Sequence, residues 1–73
     1  MAIYPNPVNN IFTINLEATE LHIYDVSGKI VKQFNGSFDK YSSFDVRDLT
    51  SGIYFVQIKS IDGSAYSLKF LKE

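Results

Sequence analysis

Apolar and polar residues alternate with a period of two along much of the chain, most cleanly after Gly52. Tyr54, Val56 and Ile58 fall on one side of the alternation, with Phe55, Gln57 and Lys59 on the other, as in a half-buried antiparallel strand. Shorter runs behave alike: Phe12, Ile14 and Leu16 around Thr13 and Asn15, Leu21 to Asp25, Ile30 to Phe34, Phe44 and Val46 around Asp45 and Arg47, and Tyr66, Leu68 and Phe70 near the end. Glu17-Ala18-Thr19-Glu20 is short and polar enough for a connection. Helical periodicity is absent. Six to seven short strands separated by turn signals predict an all-β fold, a small antiparallel β-sandwich in one domain.

The turns set the registers. Val26-Ser27-Gly28 reads as a three-residue hairpin loop with Gly28 in the left-handed region. Asp25 then lies opposite Lys29 as a charge pair, Ile23 opposite Val31, and His22 opposite Lys32. Asn35-Gly36 fits a type I′ turn, or 35–43 form a longer irregular crossing. Leu49 is expected to plug the core from a turn that needs Gly52, with Tyr54 in the core beyond it. For the last hairpin, a two-residue Asp62-Gly63 loop would set Val56 against Lys69 and split the apolar face. A three-residue loop, Ile61-Asp62-Gly63, pairs Tyr54 with Phe70, Val56 with Leu68 and Ile58 with Tyr66. A slip of one residue inverts every side chain, so the pattern selects the second arrangement and a positive φ at Gly63.

Composition narrows the function classes. A 73-residue chain without cysteine and with one histidine has neither disulfides nor a zinc ligand set, so packing must stabilise it, chiefly through six Phe and five Tyr. A net charge of −1 with scattered lysines offers no phosphate-binding stripe and no reason to expect nucleic acid. No apolar run approaches a membrane span, and the N-terminus lacks the layout of a signal peptide. Residues 1–3 read as an added start or a linker remnant, and 4–73 as the domain.

Candidate chemistry is sparse. His22 shares a strand face with Tyr24 and reads as a solvent-facing residue; no spacing relates it to Ser27 or Ser51 as a catalytic base. Asp45, Asp48 and Asp62 read as turn formers more simply than as calcium ligands. No catalytic, metal or cofactor-binding residues are assigned. Asn35-Gly36-Ser37 fits a glycosylation sequon, but Asn-Gly turn chemistry explains it better. Tyr4-Pro5-Asn6-Pro7 is a stiff lead-in that cannot offer a full row of backbone donors. At the other end, Leu68 and Phe70 read as core, and Lys69 and Lys72 as solvated charges. Ile53 and Leu71 pair on the outer face with Phe55 beside them, either as an exposed patch or covered by the Tyr4 segment.

Taken in order, Tyr4-Pro5-Asn6-Pro7, Leu21 to Lys29, Phe44 to Leu49, Ser51 to Val56 and Lys69 to Lys72 closely resemble the motifs of the type A C-terminal sorting domain of the Bacteroidetes type IX secretion system. The resemblance runs from Tyr4 to Glu73. It implies an immunoglobulin-like sandwich acting as a non-catalytic secretion signal, fused to an upstream cargo. The cargo would pass from the periplasm to the outer membrane and cell surface, or into the medium. The implied partners are the translocon and a cell-surface signal peptidase, sortase-like in some members, that removes the domain. Tyr4, Pro5, Asn6 and Pro7 then mark the start of the signal, and Lys69, Phe70, Leu71 and Lys72 the end needed for export. Asp25, Gly28, Lys29, Leu49, Gly52, Tyr54 and Gly63 are expected to be structural. An exposed edge strand would also permit a homodimer. The alternative is a cell-surface adhesion or carbohydrate-binding accessory module.

Overall fold

The computed structural model describes residues 3–73, and Met1 and Ala2, assigned above to an added start or linker, lie outside the described residues. Seven strands are present among these residues: β1 (Ile3–Tyr4), β2 (Ile11–Ile14), β3 (Ala18–Tyr24), β4 (Ile30–Phe38), β5 (Ser43–Asp45), β6 (Gly52–Ser60) and β7 (Ala65–Lys72). They form a three-stranded sheet, β1-β2-β5, facing a four-stranded sheet, β4-β3-β6-β7, with antiparallel ladders throughout. Immunoglobulin constant domains keep their fourth strand beside the fifth. Here β4 stays beside β3, so the order is immunoglobulin-like with that one strand moved across. Ile3, at the head of β1, pairs with Ile14 and packs against the core.

Alternation explains the core. Phe12 and Ile14 of β2, Phe44 of β5 and Val46 beyond it meet Leu21 and Ile23 of β3, Tyr54, Val56 and Ile58 of β6 and Phe70 of β7. A chain of rings ties the sheets together: Tyr54 to Phe70 (5.6 Å between centroids), Phe70 to Phe12 (5.4 Å) and Phe12 to Phe44 (5.4 Å). Phe34 and Phe38 of β4 then meet Phe44 edge-on. Each ring removes about 150–250 Å² from water, which lets a small domain without disulfides build its stability from aromatic contact. Leu49 packs on this core from the β5–β6 turn, as expected.

The β6–β7 hairpin follows the predicted register at every position, including Tyr54 with Phe70, Val56 with Leu68 and Ile58 with Tyr66. Ser60 N–H donates to the Ser64 carbonyl, Gly63 N–H donates to the Ser60 carbonyl, and Gly63 has φ +90°. Gly28 likewise has φ +89° in the β3–β4 loop.

Elsewhere extra residues alter the pairing. Beyond Tyr24 opposite Ile30, a bulge on β4 at Val31 sets Ile23 against Lys32 and His22 against Gln33, not Val31 and Lys32. Val31 is thereby squeezed out of the ladder and left exposed. Asn35-Gly36 forms neither a hairpin nor the start of an irregular crossing. It lies within β4, where Asn35 pairs with Glu20, and a second bulge at Gly36–Ser37 restores Phe38 to the core side opposite Ala18. The 17–20 segment is not a plain connection, because β3 already begins at buried Ala18. Thr19 is the extra residue there against β6, which turns the polar side chains outward while Ala18 stays inside.

Candidate recognition surface

The Tyr4–Val8 segment and the Leu71–Glu73 segment meet at one edge of the sandwich. Tyr4 pairs with Thr13 at the rim of the three-stranded sheet. Pro5, Asn6 and Pro7 then cross, exposed, towards the four-stranded sheet, with the Tyr4–Pro5 and Asn6–Pro7 peptide bonds both cis. At the far side Asn6 Oδ1 accepts a hydrogen bond from Leu71 N–H (3.2 Å). Val8 N–H donates to the Leu71 carbonyl (2.7 Å), and Glu73 N–H donates to the Val8 carbonyl (2.8 Å). Val8 thus forms a parallel bridge with Lys72 and buries its side chain completely. A polar-looking Pro-Asn-Pro lead-in becomes a short strand addition, anchored by one valine.

The expected recognition residues are therefore neighbours, but they do not all face water. Tyr4, Pro5, Asn6, Pro7, Lys69 and Leu71 are exposed. Phe70 is core. Lys72 is not the solvated charge expected: it is 6% exposed, on the core-facing side of β7, with Nζ donating to the Glu73 carbonyl (2.9 Å). The alternation that buries Leu68 and Phe70 carries Lys72 to the same face, and its aliphatic stem covers apolar surface while the ammonium reaches the chain end. Sequence reading missed Val8, whose only signal was an isolated apolar residue between Pro7 and Asn9-Asn10.

Beside this edge, Ile53 (44% exposed), Phe55 (44%) and Leu71 (41%) lie together on the outer face, uncovered by the Tyr4 segment. Further along that face Glu20, His22, Gln57 and Lys59, together with Gly63 and Ala65, line a shallow hollow of about 290 Å³. Glu20 lies 3.5 Å from His22 Nε2 and 3.8 Å from Lys59 Nζ. The outer surface thus carries Ile53, Phe55 and Leu71, with Lys69 beside them, towards the end of β7, and the Glu20, His22 and Lys59 cluster towards the β6–β7 loop.

The structural residues act through turns. Tyr54 O–H donates to the Thr50 carbonyl (2.7 Å) and lies 3.2 Å from Thr50 Oγ1, pinning the turn before β6 to the core. Immunoglobulin-like folds use a tyrosine in this way. Gly52, at φ +153°, starts the strand between them. Asp25 does not pair with the Lys29 ammonium. Its Oδ1 accepts from Ser27 Oγ (2.6 Å), Ser27 N–H (2.9 Å) and Lys29 N–H (3.1 Å). Those bonds, led by the Ser27 hydroxyl, hold its carboxyl below the usual range. Asp62 is held low in the same way by the Ser60 hydroxyl and then Ser64 N–H. Arg47 N–H is the main cause for Asp45. Asp48 sits in the turn closed by Leu49 N–H on the Val46 carbonyl, and both its oxygens also accept from Lys32 Nζ (3.0 and 3.1 Å), which lowers its pKa and ties β4 to that turn.

The small all-β sandwich thus has its Tyr4–Val8 and Leu71–Glu73 segments joined at one edge, and Asp25, Asp45, Asp48 and Asp62 engaged in turns and ion pairs. The family model described as secretion system C-terminal sorting domain matches residues 2–73, and the chain belongs to that family. It is a C-terminal sorting signal of type IX secretion. No curated protein matches the chain.

Proposed function

We propose that this domain is a folded address that performs no chemistry itself. Its upstream cargo reaches the translocon from the periplasm and crosses the outer membrane to the cell surface or medium. A separate cell-surface peptidase of the sortase-like kind then removes the domain. The observation that supports this reading is the joined edge: Tyr4 to Pro7 and the exposed Lys69 and Leu71 form one surface held by Asn6, Val8 and Leu71. A receptor can read both ends at once only when the domain is folded. The apolar Ile53, Phe55 and Leu71 patch alongside suits a docking surface.

Deleting Lys69–Glu73 would be a poor test, since it removes Phe70 from the core. Surface substitutions are cleaner. With the domain fused to the C-terminus of a reporter in a Bacteroidetes host, the Leu71→Asp and Phe55→Asp variants should remain folded and leave the reporter in the periplasm. Export equal to that of the unaltered fusion in both folded variants would remove the patch from the account. Glycan binding by a domain that fails to direct export would favour the accessory-module alternative.

A further inference from the structure

The free edge of the four-stranded sheet at β7 is only partly occupied. At Leu71 both main-chain groups that point away from β6 are taken, the N–H by Asn6 Oδ1 and the carbonyl by Val8 N–H. Main-chain groups alternate in direction along a strand, so Ala65, Ser67 and Lys69 turn theirs the same way. The hairpin closure fixes the same parity independently, because Ser60 N–H donates to the Ser64 carbonyl and the even-numbered residues of β7 therefore face β6. Among the described residues no main-chain hydrogen bond outside the ladders reaches Ala65, Ser67 or Lys69. These three alternate residues thus offer three donors and three acceptors along the edge. The opposite edge is different: β4 is broken by two bulges, a common way of blunting an edge. Strand β7 runs its full length against β6 with no register shift.

We propose that the Ala65–Lys69 edge accepts an extended strand from a protein of the export machinery, continuing the row that Asn6–Val8 begins at Leu71. This inference rests on the sorting reading above. The incoming strand supplies main-chain partners to Ala65, Ser67 and Lys69, as in other strand-addition complexes. On the core-facing side it meets Tyr66, 40% exposed, and half-buried Leu68, which call for apolar side chains at alternate positions. On the outer side it meets the exposed Lys69 ammonium, which calls for a carboxylate. A second copy of this chain fits less well. Pairing β7 with β7 about Ser67 would join five residues a side, where stable interfaces engage roughly 20–30. Extension in the plane of the sheet would also leave Phe55 and Leu71 of both copies uncovered.

Proline at position 67 tests this directly, because the lost N–H points away from β6 and edge strands tolerate the ring. The full 73-residue chain fused to a reporter is compared with its Ser67→Pro and Ser67→Ala variants for export, urea midpoint and sedimentation. Ser67→Ala should export normally, whereas Ser67→Pro should unfold at the same urea concentration yet export about tenfold less. Ala65→Pro, at the first residue of the strand, serves where Ser67→Pro lowers the midpoint, and the same loss is expected. A folded proline variant that exports like the unaltered fusion overturns the proposal while leaving the sorting reading intact. A dimer of the unaltered chain that Ser67→Pro dissolves gives the edge to a second copy and also overturns it. An unaltered fusion that is not exported overturns both readings.

Discussion

Asn6 Oδ1 accepts a hydrogen bond from Leu71 N–H at 3.2 Å, between residues 65 positions apart. This side-chain contact satisfies an edge donor of β7 that no main-chain carbonyl among the described residues reaches. Asn6→Ala should cost about 1 kcal/mol in urea unfolding, the usual worth of one such bond. Hydrogen exchange at Leu71 should quicken. Asn6→Asp retains an acceptor and should keep most of the stability; unchanged exchange in Asn6→Ala would show that Val8 alone holds the edge.

Tyr54 links the signature before β6 to the core through its hydroxyl and the Thr50 carbonyl. Tyr54→Phe keeps the ring on Phe70 and loses that bond, so a cost of about 1 kcal/mol is expected. Tyr54→Ala also removes a core ring and should cost about 3–5 kcal/mol. Thermal unfolding of the two variants separates the turn from the packing.

How much of this was legible in the sequence depended on regularity. The β6–β7 register followed from the residues, because a one-place slip would have exposed Tyr54, Val56 and Ile58 together. Bulges at Val31, Thr19 and Gly36–Ser37 left no such trace, since an inserted residue breaks the period that makes a strand readable. Asn35-Gly36 looked like a turn because its chemistry is the same in a bulge. The two joined segments are legible as two motifs but not as one surface, which depends on the Asn6–Leu71 hydrogen bond and the bridge between Val8 and Lys72. The charge of Lys72 conceals, in the sequence, the aliphatic stem that packs inward.

Lys72 can be separated from its charge. Lys72→Met preserves the buried stem and should leave stability within about 1 kcal/mol of the unaltered domain, whereas Lys72→Ala should cost about 1–2 kcal/mol in lost packing. Export by a folded Lys72→Met fusion then reports on the ammonium alone.

The aspartates predict an acid limit. Asp25, Asp45, Asp48 and Asp62 are all more acidic in the folded chain than a free carboxyl. Each therefore stabilises the fold fully above the ordinary Asp value of about 3.9, and that contribution is lost as pH falls through the lower folded value. The urea midpoint should show no loss from these groups between pH 7 and about 5, then decline below about 4. Asp48→Asn, which lacks the charge that pairs with Lys32, should have a shallower decline.

Gly63 isolates a backbone effect. A Cβ placed there meets nothing within 4 Å, yet φ is +90°. Gly63→Ala should cost about 1 kcal/mol or more from conformation alone. A neutral result in chemical unfolding would show that the loop relaxes to another turn.

The most direct measurement of the central claim is the location of a reporter carrying this domain at its C-terminus in a type IX-competent host. The account predicts that the reporter appears at the cell surface or in the medium, and stays in the periplasm when Phe12→Asp unfolds the domain with both terminal motifs unaltered. Equal export by the folded and unfolded fusions would contradict it, since the address would then be a linear peptide and not a folded surface.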